Sequence, residues 1–312
     1  MSAGQTSARP RLLAVDWGTT ALRGALLDGE GRVLQERAFA QGILSVAEGG
    51  FATVFDRCFG DWVRAGAQRC LVSGMAGSKQ GWQEAPYCPC PADFADVASH
   101  LVAINAESLA LPVAIVPGLS CVHGDARDGG VPDVMRGEET QVFGAMQLAG
   151  VRDGVFVLPG THCKWVTVRD AAITGFTTYM SGEFFALLKG HSLLAKSINA
   201  DAPFDGEAFA AGITRARSGG GLLHNAFGAR TLSLFARMDA AALNSYLSGL
   251  VIGEELRAQA GAMPDAVILI GATVLAQAYQ QALEHYGVGS RVFGAEATWA
   301  GLHALANTPA RN

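Results

Sequence analysis

An apolar run that breaks at a Gly-Thr turn and resumes as two more short runs occurs twice in this chain. The first copy reads RLLAVDWG, TTALRGALL, DGEG and RVLQERAFA from Arg11, and the second reads GVFVLPG, THCKWVTV, RDAA and ITGFTTYM. Placing Gly18-Thr19 on Gly160-Thr161 aligns both copies at a single offset of 142 residues. Leu- and Val-rich runs punctuated by Gly-containing turns predict a three-strand meander in each copy. The repeating unit is a whole domain rather than one supersecondary element, which excludes a solenoid. Two similar α/β halves are therefore expected, residues 1–141 and 142–312, with a cleft between them. A chain of 312 residues has room for both.

After the first meander, Phe51, Val54, Phe55, Phe59, Trp62 and Val63 recur at intervals of three and four, the period of an amphipathic helix. A strand CLVSGM, a polar loop AGSKQGWQEAPYCPCP, a helix near 93–105 and a strand LPVAIVPG follow. A loop with Gly124, Gly129 and Gly130 then leads to a helix starting near Arg136. In the second half a long helical insert precedes a helix around 240–260, the strand AVILIGA, another helix, the strand SRVFG and a last helix.

Composition excludes several classes of function. Half the residues are hydrophobic and 16% are charged, so the chain can bury enough surface to fold. A net charge of −5 with no basic run lacks the footprint of a nucleic-acid binder. The longest apolar stretch, Ala266 to Ala276, is about half of the roughly 20 residues that cross a bilayer. No apolar segment precedes Arg9, so no signal peptide is read and a cytoplasmic location is expected. The six cysteines are expected as free thiols. Cys88 and Cys90 form a CPC pair without a second ligand pair at zinc-ribbon spacing.

The chemistry-bearing residues cluster at the turns. A strand ending in Asp16 and turning through Gly18, Thr19 and Thr20 can set N–H groups and hydroxyls against phosphate oxygens, with Gly18 lacking the Cβ that would block approach. Asp16 would then face the Mg²⁺ of a nucleotide, directly or through water. The alternative is a tight hairpin in which Asp16 and the threonines satisfy turn N–H groups. The second turn repeats Gly160 and Thr161, followed by His162, without the acid. One acidic and one neutral turn suit Mg-ATP. With four lysines against nineteen arginines, Lys79 and Lys164 in Gly-rich loops are marked as point charges for phosphate or carboxylate, or as surface residues. Neither GxxxxGK[ST] nor a GxGxxG after a strand is present. Gly271, Ala272 and Thr273 after a strand can seat adenosine or simply end the strand.

Between Val131 and Gln141 three carboxylates and an Arg precede an apolar helix. Asp133 or Glu138 can act as general base while Arg136 steadies charge. Glu139 is read as ordinary acid enrichment at a helix N-terminus.

Taken together, DWGTTALR, SGMAGSKQGW, DVMRGEETQ, LPGTHCKW and FTTYMSGEFFALL with HSLL resemble, in order and over essentially the whole chain, the motif series of the 2-dehydro-3-deoxygalactonokinase family. That family lies within the actin-like ATPase, hexokinase and Hsp70 superfamily. The resemblance implies two actin-like (ribonuclease H-like) domains with an interdomain ATP and substrate cleft. It implies ATP-dependent phosphorylation of the 6-hydroxyl of 2-dehydro-3-deoxy-D-galactonate in galactonate catabolism, with Mg²⁺. Asp16 to Thr20 would form the first phosphate turn, Gly160 to His162 the second, and Gly271 to Thr273 the adenosine motif.

Acceptor contacts are implied on the loop from Ser73 to Trp82. Lys79 is placed to meet the acceptor carboxylate, with Arg23 and Arg136 as equal alternatives. Pro159 stands where many superfamily members have Asp, which leaves Asp16 or water to hold the cation. The GEE sequence also resembles exopolyphosphatase relatives, so a phosphoanhydride hydrolase is the alternative, as is a kinase for a related 2-keto-3-deoxy sugar acid. A filament-forming or sugar-sensing actin-like protein is a third possibility. Phe184, Phe185 and His191 either line the acceptor pocket or pack a helix. The small-molecule substrate is the expected partner, and the oligomeric state, a homo-oligomer included, stays open.

Overall fold

The computed structural model describes residues 11–105, 109–124 and 129–311. Residues 1–10, on which the absence of a signal peptide was read, lie outside them. In chain order the elements are β1 (Leu12–Trp17), β2 (Leu22–Leu27), β3 (Val33–Phe39), α1 (Phe51–Arg64), β4 (Arg69–Ser73), β5 (Cys88–Pro89), α2 (Phe94–Ser99), β6 (Val102–Ala103), β7 (Val113–Ile115), β8 (Leu119–His123), β9 (Val131–Met135) and α3 (Glu138–Ala149). The second meander is β10 (Gly154–Leu158), β11 (Cys163–Arg169) and β12 (Ala172–Tyr179). Then come α4 (Ser181–His191), α5 (Gly206–Arg217), α6 (Gly221–Leu234), α7 (Ala240–Gln259), β13 (Ala266–Ile270), α8 (Thr273–Glu284), β14 (Gly289–Phe293) and α9 (Glu296–Asn307).

The chain forms two compact units. Unit 1 comprises residues 1–154, 166–176 and 295–312, and unit 2 comprises 155–165 and 177–294. The sheet of unit 1 runs β3-β2-β1-β4-β7-β6. Its meander pairs antiparallel, and β4 and β7 add in parallel, as crossovers through helices require. Phe51, Val54, Phe55, Cys58, Phe59 and Trp62 are the buried stripe of α1. Each such side chain contributes about 1.5–3 kcal/mol when removed from water. Val63, the remaining member of the periodic set, packs at the edge of the same core.

The second sheet runs β12-β11-β10-β13-β14, repeating the first sheet's order from meander to parallel strands, and β13 pairs in parallel with both neighbours. This repetition bears out the α/β, actin-like class. A core of Phe209, Ile213, Leu256, Leu269 and Leu283 lies against this sheet, and a second, helical core gathers Leu243, Leu247 and Leu250 of α7.

Three segments differ from their expected form. The helix expected near 93–105 ends at Ser99 and gives way to the short strand β6, and the polar loop before it contains β5. The stretch after β7 was expected as a loop, but β8 and β9 pair antiparallel and form a small sheet with β5. Val122 and Val131 are 62% and 69% exposed there, so these strands lack the buried face that would have produced an alternating pattern. Residues 125–128 of the connection are not among the described ones. Within the described residues no helix is long and apolar enough to cross a membrane.

Candidate active site

In unit 1, Asp16 is the penultimate residue of β1, in register with Arg23 on β2 and Ser73 on β4. Arg23 forms an ion pair with Oδ2 of Asp16. The carboxylate therefore does not cap the turn beyond it. The turn closes through its own backbone, Gly18 N–H donating to the Ala21 carbonyl at 2.9 Å, while the Gly18 and Thr19 carbonyls accept from Ile43 and Leu44. Thr19 and Thr20 are exposed, and their hydroxyls have no hydrogen-bond partner among the described residues. This is a turn held from behind, with hydroxyls and one carboxylate oxygen left over.

Behind Asp16 the backbone approaches closely. Gly74 and Gly137 both have positive φ, 88° and 103°; a Cβ on Gly74 would stand 3.1 Å from Asp16 Oδ1, and one on Gly137 would stand 3.2 Å from the Gly74 Cα. Ser73 is buried, and its Oγ lies 3.1 Å from Thr140 Oγ1. Thr140 donates to Oε1 of Glu139 at 3.0 Å, and the Gly137 N–H donates to Oε2 at 2.7 Å. Burial, with Glu138 adding like charge, pushes the Glu139 carboxyl up to about 8 against these hydrogen bonds. Glu139 is thus an internal tie of the α3 start rather than a solvated N-terminal acid.

The expected catalytic residues occupy separate settings. Asp133, on β9, bonds the His123 ring at 3.2 Å and accepts from the Val134 N–H at 2.8 Å. Glu138 accepts from the Arg136 backbone N–H at 2.9 Å. The Arg136 guanidinium lies over the Tyr87 ring at 4.4 Å and donates through Nη2 to the Ala85 carbonyl at 2.8 Å. Its Nε and Nη1 are buried without a hydrogen-bond partner among the described residues. Lys79 and Trp82 line one cavity of about 720 Å³, together with Val46, Glu48, Gly49, Phe51, Ala52, Gln80 and Gly81. Trp82 belongs to an aromatic cluster, edge-on to Trp17 at 5.9 Å and stacked on Phe51 at 6.3 Å. Lys79 is exposed.

In unit 2 the second turn is built against the start of α4. A Cβ on Gly182 would stand 2.3 Å from the Gly160 carbonyl oxygen, so only glycine fits. The Glu183 N–H donates to the Thr161 carbonyl at 3.0 Å, and the Glu183 carboxylate bonds His162 Nε2 at 2.6 Å. Gly271 approaches Pro159: a Cβ there would stand 3.5 Å from the Pro159 carbonyl oxygen. Ala272 and Thr273 are exposed at the start of α8, which has no side-chain cap. These N–H groups form the kind of helix terminus that accepts an anion or polar ligand.

Lys164 is a correction: it lies in β11 rather than in a loop, is buried, and donates to Thr178 Oγ1 at 2.7 Å. Phe185 packs into the helical core, Phe184 is 39% exposed, and His191 is exposed. Phe184 lines a cavity of about 310 Å³ with Tyr179, Ser181, Leu222, Val251 and Glu255.

Sequence reasoning missed Glu183 and Glu255. Glu255 on α7 accepts from Trp165 Nε1 at 2.7 Å, from Tyr279 OH at 2.8 Å and from Ser181 Oγ, tying β11, α8 and α4 together. Burial raises its carboxyl, and these donors oppose the shift. No spacing rule links these positions, which only folding brings together.

The residues fit a magnesium nucleotide. Asp16 offers a carboxylate beside a turn whose Gly18 leaves room for phosphate, and Thr19 and Thr20 offer unengaged hydroxyls. Among the described residues no three His, Cys, Asp or Glu side chains converge as a metal site. A cation held by Asp16 would therefore complete its shell with phosphate oxygens and water.

Residues 16–305 match the 2-keto-3-deoxy-galactonokinase family. A Rhizobium meliloti (strain 1021) protein named "Probable 2-dehydro-3-deoxygalactonokinase DgoK1" is 37% identical over 94% of this chain and 95% of its own length. The 2-dehydro-3-deoxygalactonokinase of Escherichia coli (strain K12) is 33% identical over 96% of this chain and 99% of its own. The crystal structure titled "Crystal structure of a putative 2-dehydro-3-deoxygalactonokinase protein from Sinorhizobium meliloti" superposes with a TM-score of 0.85 at 37% identity, covering 95% of this chain and 98% of that one.

Proposed function

Because the chain belongs to the 2-keto-3-deoxy-galactonokinase family, we propose that it transfers the γ-phosphoryl group of ATP to the 6-hydroxyl of 2-dehydro-3-deoxy-D-galactonate, giving 2-dehydro-3-deoxy-6-phosphogalactonate and ADP. The observation that carries this assignment to particular residues is the first turn. Asp16 stands beside a glycine and two threonine hydroxyls that have no hydrogen-bond partner among the described residues.

Residues 1–141 then carry the acceptor side and the first phosphate turn, and residues 142–312 the second turn and the adenosine perch. Asp16 would hold Mg²⁺, with Gly18, Thr19 and Thr20 against the phosphates. Mg²⁺, when bound, supplies positive charge that offsets the charge spread over the transferring phosphoryl oxygens. Gly160, Thr161 and His162 form the second phosphate turn, Gly160 and Thr161 offering backbone and hydroxyl groups to the phosphate chain, and Gly271, Ala272 and Thr273 offer close backbone approach to adenosine.

On the acceptor side, Lys79 and Trp82 share a cavity that can take a six-carbon acid, with Lys79 meeting the carboxylate and Trp82 forming an apolar wall. Ser73 serves from behind through Thr140 rather than at the cavity surface. Arg136, held through Ala85 and Tyr87, would steady charge, and Asp133 or Glu138 stands on the acceptor side as the carboxylate candidate for general base. Arg23 directs the Asp16 carboxylate through their ion pair. A kinase drawing on the ATP pool is placed in the cytoplasm.

A coupled ADP-release assay with Mg-ATP tests the assignment against a panel of 2-keto-3-deoxy sugar acids, their non-keto parents and a no-acceptor control. Release that requires 2-dehydro-3-deoxygalactonate is expected. Equal release without acceptor would overturn it.

A further inference from the structure

Resting on the kinase assignment above, we infer that His162, oriented by Glu183, is the group that takes the proton from the attacking hydroxyl. The geometry begins with the 2.6 Å bond between His162 Nε2 and Glu183 Oε2. A carboxylate only accepts, so Nε2 carries the hydrogen, and in the neutral tautomer that this contact selects, Nδ1 holds the lone pair. Among the described residues Nδ1 has no hydrogen-bond partner. A neutral Nδ1 cannot bond a phosphate oxygen, since both are acceptors. What it can engage is a donor, and the donor that must approach a phosphate turn in this reaction is the acceptor hydroxyl.

The surroundings support an active ring rather than a packed one. His162 is 49% exposed and Glu183 38% exposed, so a substrate can reach the pair. The pair is nonetheless held firmly. The Glu183 N–H is bonded to the Thr161 carbonyl, Gly182 is pressed against Gly160, and Ser181 is tied to the buried Glu255. Lys164, two residues along β11, directs its ammonium to Thr178. A carboxylate fixing one ring nitrogen so that the other can act is the arrangement of a histidine base and of a histidine ligand. Here the neighbours are phosphate-turn atoms, which selects the base.

The step balances as follows. The acceptor oxygen forms a bond to the γ-phosphorus while the bond from that phosphorus to the β,γ-bridging oxygen breaks, its electron pair leaving on ADP. The hydroxyl proton moves to Nδ1 of His162 and is later lost to water. Glu183 is a positioning residue in this scheme, and it stabilises the imidazolium that forms.

The test uses the full chain, with wild-type turnover of 2-dehydro-3-deoxygalactonate established first; failure of that control would refute the kinase assignment and not this one. His162→Ala should lower kcat by about 10²–10⁴, leave ATP-analogue affinity by calorimetry within a few-fold, and regain activity with added imidazole. Glu183→Gln, whose amide oxygen still accepts from Nε2, should lose about tenfold, and Glu183→Ala about 10–100-fold. Should His162→Ala fold poorly, His162→Ser, which still leaves room for imidazole, replaces it with the same calorimetry and rescue. Loss of analogue affinity matching the loss of rate, or no rescue by imidazole in a folded variant, would overturn the proposal and make His162 a phosphate ligand.

Discussion

Gly182 sits so close to Gly160 that a β-carbon on it would lie 2.3 Å from the Gly160 carbonyl oxygen and 2.8 Å from the Thr161 Cα. Backbone, not a movable side chain, fills that space, so Gly182→Ala must push α4 away from the second Gly-Thr turn. Overpacking of this kind costs about 1–3 kcal/mol. The expected outcome is a lower melting temperature together with a KM for ATP raised at least tenfold and a nearly unchanged KM for the acceptor. An equal rise in both KM values would show that the turn does not serve the nucleotide.

Asp16 pairs with Arg23 and has one carboxylate oxygen to spare. Asp16→Asn keeps the size and removes the charge that a divalent cation needs. Turnover should fall by at least about 10², the scale set by losing one preorganised electrostatic contact. The Mn²⁺ affinity of the enzyme with a non-hydrolysable ATP analogue, read by electron paramagnetic resonance, should fall as well. Unchanged Mn²⁺ affinity would remove Asp16 from the metal role. Arg23→Ala should be milder, because the Arg23 side chain, 37% exposed, leaves its charge partly screened by solvent.

What was legible beforehand was whatever is local in the chain. The Gly-Thr turns and the apolar runs around them specify both meanders, because alternation and turn chemistry act over a few residues. The α1 stripe was visible for the same reason. Lys164 was misplaced because a charged residue beside Gly-Thr looks like a loop residue, whereas Thr178 on the next strand satisfies its ammonium inside the fold. His162 was visible as part of a turn, but its partner Glu183 lies 21 residues onward. Nothing in spacing joins them; the contact exists because Gly182 lets α4 start against the turn. The Glu255 network needs β11, α4, α7 and α8 in place before it has any meaning.

Glu139 gives a stability prediction with a definite sign. Its carboxyl is pushed from an ordinary 4.5 up to about 8 by burial, so the native state keeps a proton that the unfolded chain releases above 4.5. Between those values the native state binds more protons than the unfolded one, and stability falls with rising pH by at most about 1.4 kcal/mol per unit from this group. Glu139→Gln retains an acceptor for Gly137 and Thr140 and removes the titration. Chemical denaturation at pH 5, 6.5 and 8 should show the wild type losing stability along the series and the variant losing less. Parallel curves would mean that Glu139 is ionised in the folded protein across this range.

Glu255 serves three donors from three elements, and removing it strands all of them in the interior. Glu255→Ala should destabilise by about 3–5 kcal/mol, the range for breaking a buried network from one side. Glu255→Gln keeps one acceptor oxygen and should recover part of the loss. A drop of less than about 1 kcal/mol for the alanine variant would show that water replaces the carboxylate.

Lys79 is exposed at the cavity it shares with Trp82, and Glu48 lines the same space. An acidic acceptor entering there meets one cation and one anion, so the balance of the two decides affinity. Lys79→Met preserves most of the stem's volume and removes the charge. The KM for the sugar acid should rise about tenfold or more, the scale of a charge-assisted hydrogen bond of 1.5–3 kcal/mol, with the KM for ATP unmoved. Glu48→Gln should act in the opposite direction by relieving repulsion, and the two changes together should fall between the singles. If Lys79→Met alters the ATP dependence instead, the lysine serves phosphate, and the acceptor carboxylate must be met by another cation.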